Sequence, residues 1–174
     1  MKIKNILKSK RSQGVFGLSF GTIWGIILIV FFIVGAFFGI RAFLDYQKCT
    51  SIGMFFNGLQ SDVNRAWNSQ DSNFRYNSSL PAGSEYVCFL NVTGSVKNAN
   101  AIETTLYDTI KNAGWALGNN AYLYAPSKDF CTKWTSIKHL NLTDHNPICA
   151  KVVKNMVSIK VEKKFEENLV RLSE

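Results

Sequence analysis

Four cysteines, two histidines and three Asn-x-Ser/Thr triplets are the residues of this 174-residue chain whose types and spacing bear on chemistry. Cys49, Cys88, Cys131 and Cys149 form no CxxC or CxxxC pair, and no Cys–His spacing matches a zinc site. An even number of cysteines points to two disulfides in an oxidising compartment, with three connectivities open. The alternative is four buried free thiols, because cysteine packs as a small hydrophobe. His139 and His145 are six residues apart, a spacing that suits neither one helix face nor one strand face well. The acids Asp129, Asp144, Glu162, Glu166 and Glu167 make no recognisable pair, and there is no GxSxG, HExxH, P-loop or GxGxxG in its strand–helix setting. The sequence therefore offers no catalytic residue, no cofactor site and no metal site, and a non-enzyme is expected.

The triplets begin at Asn77, Asn91 and Asn141. With 16 asparagines and 24 serines and threonines, chance places about two such triplets in the chain, so their number alone does not argue for glycosylation. Position is more informative. Asn77 falls in a polar stretch and is the best acceptor by that measure, Asn141 is a second candidate, and Asn91 sits in an expected strand.

These residues all lie beyond a long apolar run. Val15 to Ile40 is 26 residues without a formal charge. As a helix it would be about 39 Å long, against a bilayer core of about 30 Å. A secretory signal has a shorter core and a small-residue cleavage site, whereas this run ends in "FFGIRAFLDY". An uncleaved anchor is the better reading. Lys2, Lys4, Lys8, Lys10 and Arg11 precede the run and no acid does; just after it Arg41, Asp45 and Lys48 nearly balance. The positive-inside rule puts the N-terminus in the cytoplasm and the region after Arg41 outside. Since much of the net charge of +8 is leader charge, a nucleic-acid-binding face is not indicated. Gly17, Gly21 and Gly25 recur every four residues, and Gly35 and Gly39 repeat the spacing. Such grooves let another transmembrane helix, from a second copy or a partner protein, approach closely within the lipid bilayer.

Past the run, Cys49, Ile52, Phe56, Leu59, Val63 and Ala66 follow helical spacing, with Trp67 on the same side. The pattern predicts one helix continuing to about Trp67, with Gly53 and Gly58 as places to bend. The expected organisation is a basic leader (1–14), a transmembrane helix (15–40), an extracytoplasmic extension (41–67), a polar linker (68–84) and an α+β domain (85–174). Within that domain the sequence predicts strands over Glu85–Thr93 and Ala121–Ala125. It also predicts a helix over Asn98–Gly114, with Ile102, Leu106 and Ile110 on one face. A hairpin turning at Lys154-Asn155 and a last strand in "NLVRLS" complete the reading. The fold class is α+β. A long transmembrane helix continues into an amphipathic one that packs on a small, disulfide-braced antiparallel sheet.

Lys10-Arg11-Ser12-Gln13 ahead of the apolar helix resembles the leader-processing site of archaeal type IV pilin-like proteins. The layout of residues 8–67 is similar to theirs, and also to small single-pass membrane proteins of archaea. The pilin resemblance implies cleavage around Arg11, Ser12 and Gln13 and helices that bundle into a filament or pseudopilus. Pilins typically carry a Glu at the fifth mature residue; counted from Gln13, that place is taken by Gly17.

Overall fold

The computed structural model describes residues 20–113, 118–127, 130 and 133–174. Two helices and seven strands follow in the order α1 (Phe20–Asn68), β1 (Ser72–Ser79), β2 (Tyr86–Phe89), α2 (Ala101–Asn112), β3 (Ala121–Tyr124), β4 (Trp134–Thr135), β5 (Ile148–Lys151), β6 (Met156–Lys163) and β7 (Arg171–Ser173). The chain divides into two units, one ending at Phe43 and the other running from Leu44 to Glu174.

In the first unit, α1 carries exposed apolar side chains all round, among them Phe20, Ile29, Phe31, Phe32, Ile33 and Phe38. No proline or charge interrupts it before Arg41, whose guanidinium lies 4.7 Å from the centre of the Phe37 ring.

The second unit is α+β. All strand pairs are antiparallel and form two sheets, ordered β1-β6-β7 and β4-β3-β2-β5. Alternation along β2 explains the layering. Val87 and Phe89 point to one face and join Ala121, Leu123, Ile148 and Ala150 against the α1 residues Ile52, Phe55, Phe56, Leu59, Val63 and Ala66. Cys88 points to the other face, where Tyr122 and Cys149 meet Leu106, Tyr107 and Ile110 of α2. A sheet covered on both sides has no polar face to show, hence the apolar run "YVCF". Val157, Ile159 and Val161 of β6 close the first core from the three-stranded sheet.

Several expectations require correction. Residues 68–84 are not a linker, because β1 occupies Ser72–Ser79 and pairs along its whole length with β6. Its alternation is carried by Phe74 and Tyr76, half-buried between exposed Asn73, Arg75 and Asn77. Lys154 and Asn155 do form the turn, both with positive φ (50° and 63°), but β5 and β6 are not a hairpin. Beyond the Val153–Met156 bridge they part into different sheets, β5 against β2 and β6 against β1. The strand containing Val87 ends at Phe89, which leaves Asn91 in a turn. On α2, Ile102 is exposed and the buried face is Glu103, Leu106, Tyr107 and Ile110. The expectation of one helix continuing to about Trp67 holds: α1 runs through Gly53 and Gly58 without a break.

Candidate functional site

The most conspicuous functional feature is the apolar part of α1. It is a helix near the N-terminus long and apolar enough to cross a membrane, and none of its most apolar window is buried. From Phe20 to Ile40 the helix rises about 31 Å, close to the thickness of a hydrocarbon core. The residues that follow are amphipathic or charged. Arg41 lies over Phe37, exposed Tyr46 comes next, and Lys48 pairs with Asp45 at 2.8 Å. Such groups suit the polar boundary of a bilayer. A side-chain carbon added at Gly25, Gly35 or Gly39 would meet no atom within 4 Å. Gly21 is likewise on exposed helix. Gly17, Arg11, Ser12 and Gln13 lie outside the described residues.

The cysteines are oxidised where they are described. Cys88 and Cys149 are paired, 61 residues apart in sequence and directly opposite one another in the β2–β5 ladder. Both are buried under α2. Cys49 is also disulfide-bonded, and Cys131 lies outside the described residues.

The histidines sit in unrelated surroundings. His139 stacks on Trp67, with ring centres 3.8 Å apart and planes 10° from parallel. The Trp67 indole donates to the Asn168 carbonyl at 3.1 Å, so the end of α1 is tied to the loop before β7. His145 has its Nε2 3.4 Å from Glu103 Oε2. Among the described residues Glu103 is the buried acid, and a reading by motif misses it. Its Oε2 accepts from the Asn100 backbone N–H at 2.9 Å, and its own N–H donates back to Asn100 Oδ1 at 2.9 Å. Glu103 Oε1 accepts from the Cys149 N–H at 3.0 Å. The local signal was Asn100-x-x-Glu103, a capping box at the start of α2. One carboxylate therefore caps the helix and docks it on the disulfide-bearing strand. Nearby, buried Asn146 accepts from the Asn91 N–H and donates to the carbonyls of Asn91 and Ser95. These groups are occupied in holding loops together. Among the described residues no group of three or more His, Cys, Asp and Glu is placed to hold a metal.

Two surface clefts lie on the described part of the molecule. One, of about 380 Å³, brings together Asp144, His145, Glu162, Lys164 and Arg171. Its charges are largely paired, Arg171 with Glu167 at 2.6 Å and Asp144 at 3.4 Å, and Glu162 with Lys160 at 2.6 Å. The hydrogen bond and charge from Lys160 hold the Glu162 carboxyl below its ordinary range. The other cleft, of about 400 Å³, lies between the turn after β2 and the Leu140–Thr143 loop and is lined by amides, hydroxyls and aliphatic groups. Burial raises the ionisation of Tyr76 and Tyr122 above the ordinary phenol range; for Tyr76, the Asp62 charge adds to this and a hydrogen bond with Ser78 opposes it.

The asparagines of the three triplets differ in setting. Asn77 is exposed on β1, opposite Ser158. Asn91 is exposed in its turn, and Asn141 is half-buried in a loop. In comparison with known proteins, no family model, curated protein or solved structure matches this chain.

Proposed function

We propose that the chain is a single-pass membrane protein. Its N-terminus is in the cytoplasm, and its disulfide-bonded α+β head is outside, in a structural or interaction role without catalysis. The observation that carries this reading is the contrast along α1. Apolar side chains stand exposed on all sides up to Phe43, whereas from Ile52 onward one face is buried in the core. An apolar surrounding such as a bilayer stabilises the first arrangement. Basic residues ahead of the run set the orientation, and oxidised cysteines suit an oxidising exterior. The open glycine grooves favour a second transmembrane helix, from another copy or another protein, as partner.

The test is made on the full-length protein in its native membranes. It should resist extraction by alkaline carbonate, and a membrane-impermeant amine reagent applied to intact cells should label lysines of the head, such as Lys151 and Lys154. Carbonate-soluble protein, or labelling only after lysis, refutes the reading. A second reading, a pilin-like subunit of a filament or pseudopilus, rests on Lys10-Arg11-Ser12-Gln13 before the apolar helix. Sequencing the mature N-terminus separates the two: a start at or near Gln13 supports the pilin-like form, and an intact leader refutes its processing step.

A further inference from the structure

Two of the three Asn-x-Ser/Thr triplets are folded into the same local structure. In each the asparagine side-chain oxygen accepts two hydrogen bonds from the threonine two residues on. Asn91 Oδ1 accepts from the Thr93 N–H at 3.1 Å and the Thr93 hydroxyl at 2.8 Å. Asn141 Oδ1 accepts from the Thr143 N–H at 3.0 Å and its hydroxyl at 2.7 Å. This geometry brings the threonine hydroxyl onto the amide that a glycosylating enzyme must activate. The strand position of Asn77 denies it that arrangement. Ser79 lies two residues along an extended strand, about 7 Å away, and both residues are held in the β1–β6 ladder.

The two turns differ at the nitrogen. Asn141 is half-buried and its Nδ2 donates to Asp144 Oδ2 at 3.1 Å. Asn91 is exposed, and its Nδ2 has no hydrogen-bond partner among the described residues. Its backbone is nonetheless fixed, because Asn146 bonds both the Asn91 N–H (2.8 Å) and the Asn91 carbonyl (2.9 Å). The turn is thus clamped from below while Asn91 itself stands exposed, its side-chain amide lying beside Gly94. Among the described residues, the cleft of about 400 Å³ beside it carries no charged side chain, and Leu140, Leu142, Asn119 and Asn120 offer an aliphatic and amide surface suited to a neutral sugar ring.

We propose that Asn91 is a site of N-glycosylation and that the first sugar lies against this cleft. The donor class is an oligosaccharide linked through phosphate to a membrane lipid. A bond forms between Asn91 Nδ2 and the anomeric carbon, the anomeric C–O bond to the lipid phosphate breaks with its electron pair leaving on the phosphate, and the amide gives up one proton to a carboxylate of the transferring enzyme or to water. The proposal rests on the head lying outside the cytoplasm.

The experiment is glycopeptide mass spectrometry on full-length protein from its native membranes, with the redox state of Cys88 and Cys149 read in the same sample. The expected result is a glycan on the Asn91 peptide and none on Asn77 or Asn141. It should be lost in Thr93→Ala and kept, at reduced occupancy, in Thr93→Ser. Thr93 is an exposed residue, and an intact Cys88–Cys149 bond serves as the check that each variant folds. Bare Asn91 in protein whose Cys88–Cys149 bond is formed overturns the site and leaves the location standing. A glycan on Asn141 or Asn77 with Asn91 bare also overturns it. Free thiols at Cys88 and Cys149 overturn the location itself and this proposal with it.

Discussion

Gly58 is the position where helix propensity and tertiary structure predict opposite outcomes. In the interior of a long helix, Gly→Ala stabilises by about 1 kcal/mol. At Gly58 the added carbon would lie 2.6 Å from the Tyr76 hydroxyl oxygen and 3.4 Å from two ring carbons. The tyrosine has little freedom to retreat. Its hydroxyl donates to the Phe55 carbonyl at 2.8 Å, its ring packs on Phe55 with centres 5.6 Å apart, and its backbone is paired with Ile159. To relieve the overlap, the hydroxyl must move by several tenths of an ångström and weaken its hydrogen bond. Overpacking of this kind costs about 1–3 kcal/mol, and a half-buried donor deprived of its acceptor costs a further amount on the order of 1 kcal/mol. These outweigh the propensity gain, so Gly58→Ala should destabilise the head by about 1–3 kcal/mol. Tyr76→Phe alone should cost about 0.5–1.5 kcal/mol for the lost hydrogen bond. In the Tyr76→Phe background the clashing oxygen is gone, and Gly58→Ala should become neutral or mildly stabilising. The coupling between the two sites is then roughly 2 kcal/mol. Denaturant unfolding of the full chain in detergent micelles, followed by tryptophan fluorescence, measures all four corners of the cycle. The phenol titration gives an independent reading. Burial holds Tyr76 above the ordinary phenol range, and Gly58→Ala should lower it by opening the site to water. If Gly58→Ala stabilises the protein, or if its effect is unchanged by Tyr76→Phe, the packing argument is wrong.

Other perturbations follow from the same geometry. The Cys88–Cys149 bond closes a loop of 61 residues, for which chain entropy gives a stabilisation of about 4 kcal/mol; Cys88→Ala with Cys149→Ala should lower the unfolding free energy by about that much under non-reducing conditions. Glu103→Ala removes the capping box and the acceptor for the Cys149 N–H and should cost about 2–4 kcal/mol, while Glu103→Gln, which keeps an acceptor oxygen, should cost less in the same denaturation assay. The folded-state pKa of Glu162 is depressed, so its pairing with Lys160 contributes stability above the unfolded carboxyl range and loses it as pH falls through the folded value. Because the pair is at the surface, the acid-side change removed by Glu162→Gln should be below about 1 kcal/mol in a pH series of melts. A chain beginning at Leu44 should fold as a soluble head with a cooperative melt, whereas one beginning at Ser69, deprived of Ile52, Phe55, Leu59 and Val63, should not.

How much of this was legible in the sequence depended on how local each cause was. The apolar run is visible because its residues are consecutive in the sequence. The helix α2 is equally local in its apolar spacing, but which face it buries is set by strands elsewhere in the chain, and these leave Ile102 exposed. β1 was hidden for a physical reason. An edge strand buries only alternate side chains, and here those are Phe74 and Tyr76 among Ser, Asn and Arg. Its partner β6 lies some 80 residues downstream, so the ladder that makes it a strand leaves no mark nearby. The Lys154-Asn155 turn was readable, since two consecutive positive φ angles restrict residue choice, but which sheet each arm joins is decided by β2 and β1, far away in sequence. Asn91 repeats the lesson at the level of the site. Its triplet looked buried in a strand, and what frees it is Asn146, whose side chain takes over its backbone hydrogen bonds from 55 residues away. Gly58 gives the sharpest case. Read alone it is a place for α1 to bend, yet the helix is continuous, and the absent side chain makes room for a tyrosine on a strand the sequence did not announce. Nothing in the structure explains Gly53, which meets no atom within 4 Å. The two glycines are alike within the helix pattern and differ only in what the fold brings to them.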